Sequence, residues 1–311
     1  MTLSIVIPSH SRVDLLRLCL ASVQRYSPAG TQWIVVDDGS RDGAVSQTAA
    51  EFVGVQVIRL PKSKGFCAAA NAGIAAATGD IVEMLNDDAE ATAGWTEAAM
   101  GRFENPKVVA VAPLVLQSDS KTRGVTGAGA QRSPGVGVII DSAGDEYDPG
   151  GFAFKRGHGH RFDSNGEFAV PRRVGAVSAA AGFYRRETLL RTGGFPEAFR
   201  AYFDDVDLSC RLARHGEIWY EPTSVVWHRV SASHGRHPGR RLLEQQSRNE
   251  ELLYWRNATG SEVWQTLPRH IAVLAGKSLR RIEEGRFVPW SMGRLRAWGE
   301  TLMKSRATHA R

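Results

Sequence analysis

The chain has 311 residues, of which 42% are hydrophobic and 23% charged, with a formal net charge of +6. That composition supports a sizeable packed core and excludes a disordered chain. No apolar run approaches the ~18 residues of a membrane span, and "MTLSIVIPSHSR" lacks the basic start and long apolar stretch of a signal peptide, so a cytoplasmic protein is expected.

Cys19, Cys67 and Cys210 are isolated, without CxxC spacing, and read as buried free thiols rather than a disulfide framework or a zinc site. The charge is uneven. Residues 1–228 hold 23 Lys and Arg against 26 Asp and Glu, whereas residues 229–311 hold 16 against 7. The basic excess therefore belongs to the C-terminal quarter, which is expected to face something anionic.

In chain order, "LSIVIP" is a short apolar run, and Val13–Tyr26 has helical spacing. "WIVVDDGS" and "VQVIRLP" are the second and third apolar runs, residues 67–77 are Ala-rich and helix-prone, and "DIVEMLNDD" is the fourth run. Trp95–Phe103 reads as a helix and "VVAVAP" as a fifth strand. Strands alternating with helices predict an α/β fold with a mostly parallel central sheet flanked by helices. Residues 118–172 are Gly-, Ser-, Asp- and Arg-rich and read as long loops with short strands laid over a site. "VGAVSAAAGFYRRETLLRTGGF" returns to strand, turn and helix; in "AYFDDVDLSCRLARHG" three acids open a helix that Gly216 ends. From about residue 240 the pattern is helical and amphipathic.

Asp37-Asp38 and Asp87-Asp88 each follow an apolar run directly, so both pairs should project from one edge of the sheet, where open α/β sheets bind ligands. Adjacent carboxylates repel, and no Lys or Arg is adjacent in sequence to Asp87 and Asp88. A hard cation, Mg²⁺ or Mn²⁺, bridging Asp88 to a diphosphate would account for them; a solvated turn capping the next helix would too. Asp37 and Asp38 suit a ribose hydroxyl or a base N–H. Lys62, Lys64 and Gly65, placed before a helix, suit the anionic part of a nucleotide. Asp204, Asp205 and Asp207 supply further carboxylates, and His228 follows the apolar "VVW". Each of these alone also fits a turn, a helix cap or a surface charge; their ordered co-occurrence favours a site.

These segments resemble inverting glycosyltransferases of family 2, which have the GT-A fold. "SIVIPSHSRVDLLRLCLASVQ" is similar to that family's N-terminal signature, "VVDDGS" to its nucleotide-binding strand end, "GFCAAANAGI" to its Asn-containing helix, "LNDDAE" to its metal-binding DxD motif, "GGFPEAFRAYFDDVDLSCRLARHG" to its catalytic-base segment and "VVWHRV" to its late histidine segment. The resemblance covers about residues 3–230 and leans towards the rhamnosyltransferase-like branch, which builds bacterial surface glycans; the first DxD position is Asn86 rather than Asp. It implies a catalytic domain over 1–235, with a nucleotide-sugar-binding half at 1–113 and an acceptor and catalytic-base half at 114–235, followed by a basic helical extension at 236–311.

The resemblance also implies roles. Pro8, Arg12, Asp37, Asp38, Lys64, Gly65, Asn71, Asn86 and Asp87 would contact a UDP- or dTDP-linked sugar donor. Asp88 and His228 would hold Mg²⁺ or Mn²⁺, Asp205 would be the general base towards a glycan or polyprenyl-linked acceptor, and Asp204 and Asp207 would position that acceptor and cap the helix. A nucleotidyltransferase and a non-catalytic nucleotide-sugar-binding module remain alternatives. A nucleic-acid partner is not expected, because the basic tail carries no nucleic-acid motif. That tail interleaves Arg286, Arg294, Arg296 and Lys304 with Trp290, Leu295, Trp298 and Leu302, which suits an amphipathic helix in a membrane interface, a helical pair on the catalytic domain, or a contact in a homo-oligomer.

Overall fold

The computed structural model describes residues 1–118, 137–229, 239–258 and 260–309. Residues 119–136 of the expected loop region and the side chain of Lys304 lie outside the described part.

The N-terminal half alternates as expected: β1 (Leu3–Ser9), α1 (Val13–Tyr26), β2 (Gln32–Asp37), α2 (Ala44–Ala50), β3 (Val55–Arg59), α3 (Phe66–Ala76), β4 (Ile81–Leu85), β5 (Ala89–Ala91), α4 (Trp95–Arg102) and β6 (Val108–Gln117). Strands β3, β2, β1 and β4 are parallel neighbours in that order. Every residue of β1 and β4 is buried, which is why both read as continuous apolar runs rather than alternating ones. The Ala-rich character of α3 serves close packing: a Cβ on Gly73 would come within 2.2 Å of Val6 Cγ1.

The fifth apolar run does not extend the parallel block directly. Strand β11 (Ala181–Arg185) lies antiparallel between β4 and β6, and β6 then pairs in parallel with β12 (Glu217–His228). Short strands β7 (Ile140–Ser142), β8 (Asp145–Asp148), β9 (Phe152–Lys155) and β10 (Arg172–Arg173) come from the Gly-rich region; β7 joins β6, and β8 and β9 form a separate hairpin. Helices α5 (Arg186–Arg191) and α6 (Asp204–Leu212) follow. Helix α6 stops at Leu212, short of the expected stop at Gly216.

Helices α7 (Arg240–Asn257), α8 (Glu262–Glu283) and α9 (Phe287–His309) complete the chain. They do not form a loose arm. Leu252, Leu253 and Ala297 belong to the same buried cluster as Val6 and Met84 of the sheet. Glu251 ties the three helices together: it accepts hydrogen bonds from Arg294 Nη1 (2.8 Å), Trp298 Nε1 (2.6 Å) and Trp255 Nε1 (2.7 Å), and lies 3.1 Å from His270 Nε2. Burial alone would raise its pKa, but His270 and Arg294 outweigh that and hold it at about 2.

Glu83 is the odd residue of β4. It is fully buried; Oε1 accepts from Trp95 Nε1 at 2.9 Å, and Oε2 has no hydrogen-bond partner among the described residues. Burial pushes its pKa from 4.5 to about 8, so the folded protein holds a proton that the unfolded chain releases between those values. Stability should therefore fall as pH rises through that window, by up to ~1.4 kcal/mol per pH unit. Glu83→Gln keeps the bond from Trp95 and cannot ionise, so its denaturation midpoint should be flatter over the same window. Parallel pH profiles for the two proteins would refute the buried neutral carboxyl.

Candidate active site

The carboxyl ends of β1, β2 and β4 meet on one edge, with Ser9 in register with Asp37. Beside them a cavity of about 870 Å³ is lined by Pro8, Arg12, Asn86 and Asp87 from this edge, by Asp204 and Asp205 from α6, and by His228 from β12. Its size and mixed lining suit a small-molecule site.

The charge left uncompensated in the sequence is met from a distance. Arg12, just ahead of α1, reaches across 75 and 76 positions to pair with both Asp87 and Asp88, the latter at 2.5 Å. Ser9 Oγ also donates to Asp87 at 2.6 Å. Burial keeps the pKa of Asp87 raised despite Arg12, whereas His228 and Arg12 overcome burial at Asp88 and lower it. Arg12, expected as a donor contact, is thus in the first place the counter-ion of this pair.

Asp88 and His228 are brought together as expected. Asp88 Oδ1 lies 3.2 Å from His228 Nε2, yet this buried oxygen receives no well-formed hydrogen bond. The far ring nitrogen, Nδ1, is 3.0 Å from Asp141 Oδ2. Burial would lower the pKa of His228, but Asp141 and Asp88 raise it to about 9. A carboxylate oxygen facing an imidazole nitrogen, whose other nitrogen is fixed by a carboxylate, is a donor set that suits a divalent cation once the imidazole gives up its proton. Among the described residues no third His, Cys, Asp or Glu joins them, so substrate oxygens would have to complete the shell.

Several expected contacts are turned inward instead. Asp37 is fully buried and accepts from the backbone and hydroxyl of Ser40 and of Ser46; its oxygens stabilise the turn after β2 and do not line the cavity. Asp38 reaches the lining, but its carboxylate accepts from Ser63 Oγ, Lys64 N–H and Gly65 N–H and pins the loop before α3. Lys64 is exposed and, with Gly65, lies outside the lining. Asn71 clasps the backbone of Phe195 from both sides, donating to its oxygen at 2.9 Å and accepting from its N–H at 2.8 Å. Asp207 pairs with Arg211 and Arg256 and is fully buried, which makes it a tie between α6 and α7 rather than an acceptor contact.

Asp204 and Asp205 enter the cavity from a strained approach. Arg200, Tyr202 and Phe203 all have positive φ (63°, 73° and 61°), a region that bulky residues avoid. Helix α7 holds this loop: Asn249 Nδ2 donates to the carbonyls of Phe199, Ala201 and Tyr202 at 2.9, 2.9 and 3.1 Å, and Gln245 adds bonds to the first two. Asp204 is buried, and among the described residues its Oδ2 has no hydrogen-bond partner; burial and then the neighbouring Asp205 push its pKa well up. Asp205 is half-buried and accepts from Ala179 N–H (3.1 Å) and from its neighbour Val206 N–H (2.9 Å). Burial raises its pKa, opposed by those amides and by Lys155. Of the pair, Asp205 is the less buried and the one whose backbone-amide bonds and Lys155 favour the charged form.

Lys155, Asp141 and Asp145 come from the loop region and had no role assigned in the sequence. Lys155 Nζ lies 3.0 Å from Asp141 Oδ2, and both Lys155 and Asp145 line the cavity. The available signal was alternation in "FAFK" and the position of "IDSAGD" next to it, which the Gly-rich context obscures.

This fold is the GT-A fold of nucleotide-sugar transferases. It superimposes on a mannosyltransferase of Pyrobaculum calidifontis, solved in complex with GDP-Man and Mn²⁺, with a TM-score of 0.53 at 15% identity over 96% of this chain and 86% of that one. Residues 4–155 match the model of Glycosyl transferase family 2, and the chain belongs to that family. It is 31% identical to the pre-mycofactocin glycosyltransferase of Mycobacterium tuberculosis over 72% of this chain, and spans 42% of that protein's length. It is 25% identical to the N-acetylglucosaminyl-diphospho-decaprenol L-rhamnosyltransferase of the same organism, over 77% of this chain and 80% of that one.

Proposed function

We propose that the chain is an inverting glycosyltransferase that moves a sugar from a nucleotide diphospho-sugar to a hydroxyl of a glycan or lipid-linked acceptor. The observation that carries this reading is a cavity lined by Asp205 on one side and by His228, which is backed by Asp88, on another. Asp205 takes the proton of the acceptor hydroxyl as that oxygen attacks the anomeric carbon; a base of this kind contributes typically ~10²–10⁴-fold. Asp204, beside it in the same cavity, orients a neighbouring acceptor oxygen. Asp88 and His228 would hold Mg²⁺ or Mn²⁺, whose Lewis acidity would offset charge on the leaving diphosphate. Arg12, paired with both Asp87 and Asp88, keeps the strand ends in place. The likeness to the N-acetylglucosaminyl-diphospho-decaprenol L-rhamnosyltransferase supports a lipid-linked acceptor; the donor is taken as a UDP- or dTDP-linked sugar and the role as bacterial surface polysaccharide synthesis.

The test is turnover with a panel of sugar nucleotides and Mn²⁺, scored for nucleoside diphosphate and for pyrophosphate. Nucleoside diphosphate released with one donor is the expected result. Pyrophosphate as the product would make the chain a nucleotidyltransferase, and tight donor binding without release would make it a binding module.

A further inference from the structure

Helix α8 is amphipathic in the wrong sense for a helix that only packs on a protein. Trp264, Ile271, Ala275 and Ile282 recur at intervals of 7, 4 and 7 residues, which places them on one helical face, and that face is outward: the three large side chains are 77%, 56% and 57% exposed. The inward face carries His270, which is buried against Gly150 and Glu251, and Lys277, which pairs with Glu250. Helix α9 repeats the arrangement. Val288, Met292, Leu295 and Leu302 form its exposed stripe, while Trp290, Arg294 and Ala297 face α7. The two helices touch one another and are joined by a short turn at Gly285. Successive apolar faces of this extent are not left to water without a partner.

We infer that the outward faces of α8 and α9 bind the surface of an anionic lipid bilayer. Charge selects this occupant over a second copy of the chain. Residues 229–311 hold 16 Lys and Arg against 7 Asp and Glu, so two such segments repel one another, whereas acidic headgroups attract them. Exposed Trp264 and Trp298 are side chains that favour the headgroup boundary. Among the described residues no helix is long and apolar enough to cross a bilayer, so α8 and α9 would lie in its interface. The inference stands apart from the proposed chemistry, because vesicle binding requires neither donor nor turnover.

The experiment is co-sedimentation of the full chain with phosphatidylcholine vesicles, with and without phosphatidylglycerol, beside sedimentation velocity of the protein alone. Binding to the mixed vesicles should exceed binding to the neutral ones by roughly tenfold at low salt and fall as salt rises. The double substitution Ile271→Glu and Ile282→Glu should abolish binding at an unchanged melting temperature, since both side chains are exposed. Should that variant unfold, the lipid and salt dependence of the unsubstituted chain decides alone. No binding, equal binding to both vesicle types, or a dimer that the double substitution dissolves in place of vesicle binding would overturn the inference.

Discussion

Asp205→Asn is expected to lower turnover by ~10²-fold or more while donor affinity stays within a few-fold. The substitution preserves the shape of the side chain and removes its basicity. The acceptor-facing group is the one that changes: Asp205 is the less buried member of the pair and the one bonded to backbone amides, which favour its charged form. Asp204, buried and with its pKa pushed up by burial and by Asp205, should tolerate Asn better, because its environment favours an uncharged side chain. Nucleoside diphosphate release with a saturating acceptor, alongside donor binding by calorimetry, measures both quantities. A larger loss in Asp204→Asn than in Asp205→Asn would exchange their roles, and near-normal turnover in both would place the base elsewhere.

Asp88→Ala is expected to abolish metal-dependent donor binding, and His228→Ala to weaken it by roughly 10–100-fold. The first removes the carboxylate that faces His228; the second removes a nitrogen oriented by Asp141. Asp141→Asn should act in the same direction as His228→Ala but more weakly, because it loosens the ring without removing it. Donor titrations by calorimetry with Mn²⁺ and with a chelator separate the cases. Donor affinity indifferent to the chelator and to both alanine variants would mean that the diphosphate is held by Arg12 and backbone amides alone.

The parts of this molecule that were legible in the sequence are those whose pattern is local. Burial on both faces makes β1 and β4 continuous apolar runs, and the acids that interrupt them mark the sheet edge. The proximity of Asp88 and His228, 140 positions apart, was reached through the family resemblance and is present in the fold. What could not be read is long-range pairing of single side chains. Arg12 as counter-ion to Asp87 and Asp88, Asn249 as the support of a strained loop, and Asp141 behind His228 each depend on contacts that span many positions and leave no periodic trace. The same reason explains the reverse errors. Asp37 and Asn71 sit at positions that suggest a ligand, but local turns and a distant backbone segment consume their hydrogen-bonding capacity. The antiparallel insertion of β11 was hidden because strand direction has no signature in an apolar run.

The central claim is a single displacement in which Asp205 activates the acceptor and the sugar changes anomeric configuration. The anomeric configuration of the first product formed from a donor of known configuration, followed by proton NMR during turnover, tests it most directly. Inversion is the predicted result. Retention would require a second displacement or a front-face attack, and would contradict the assignment of Asp205 as a base acting in one step.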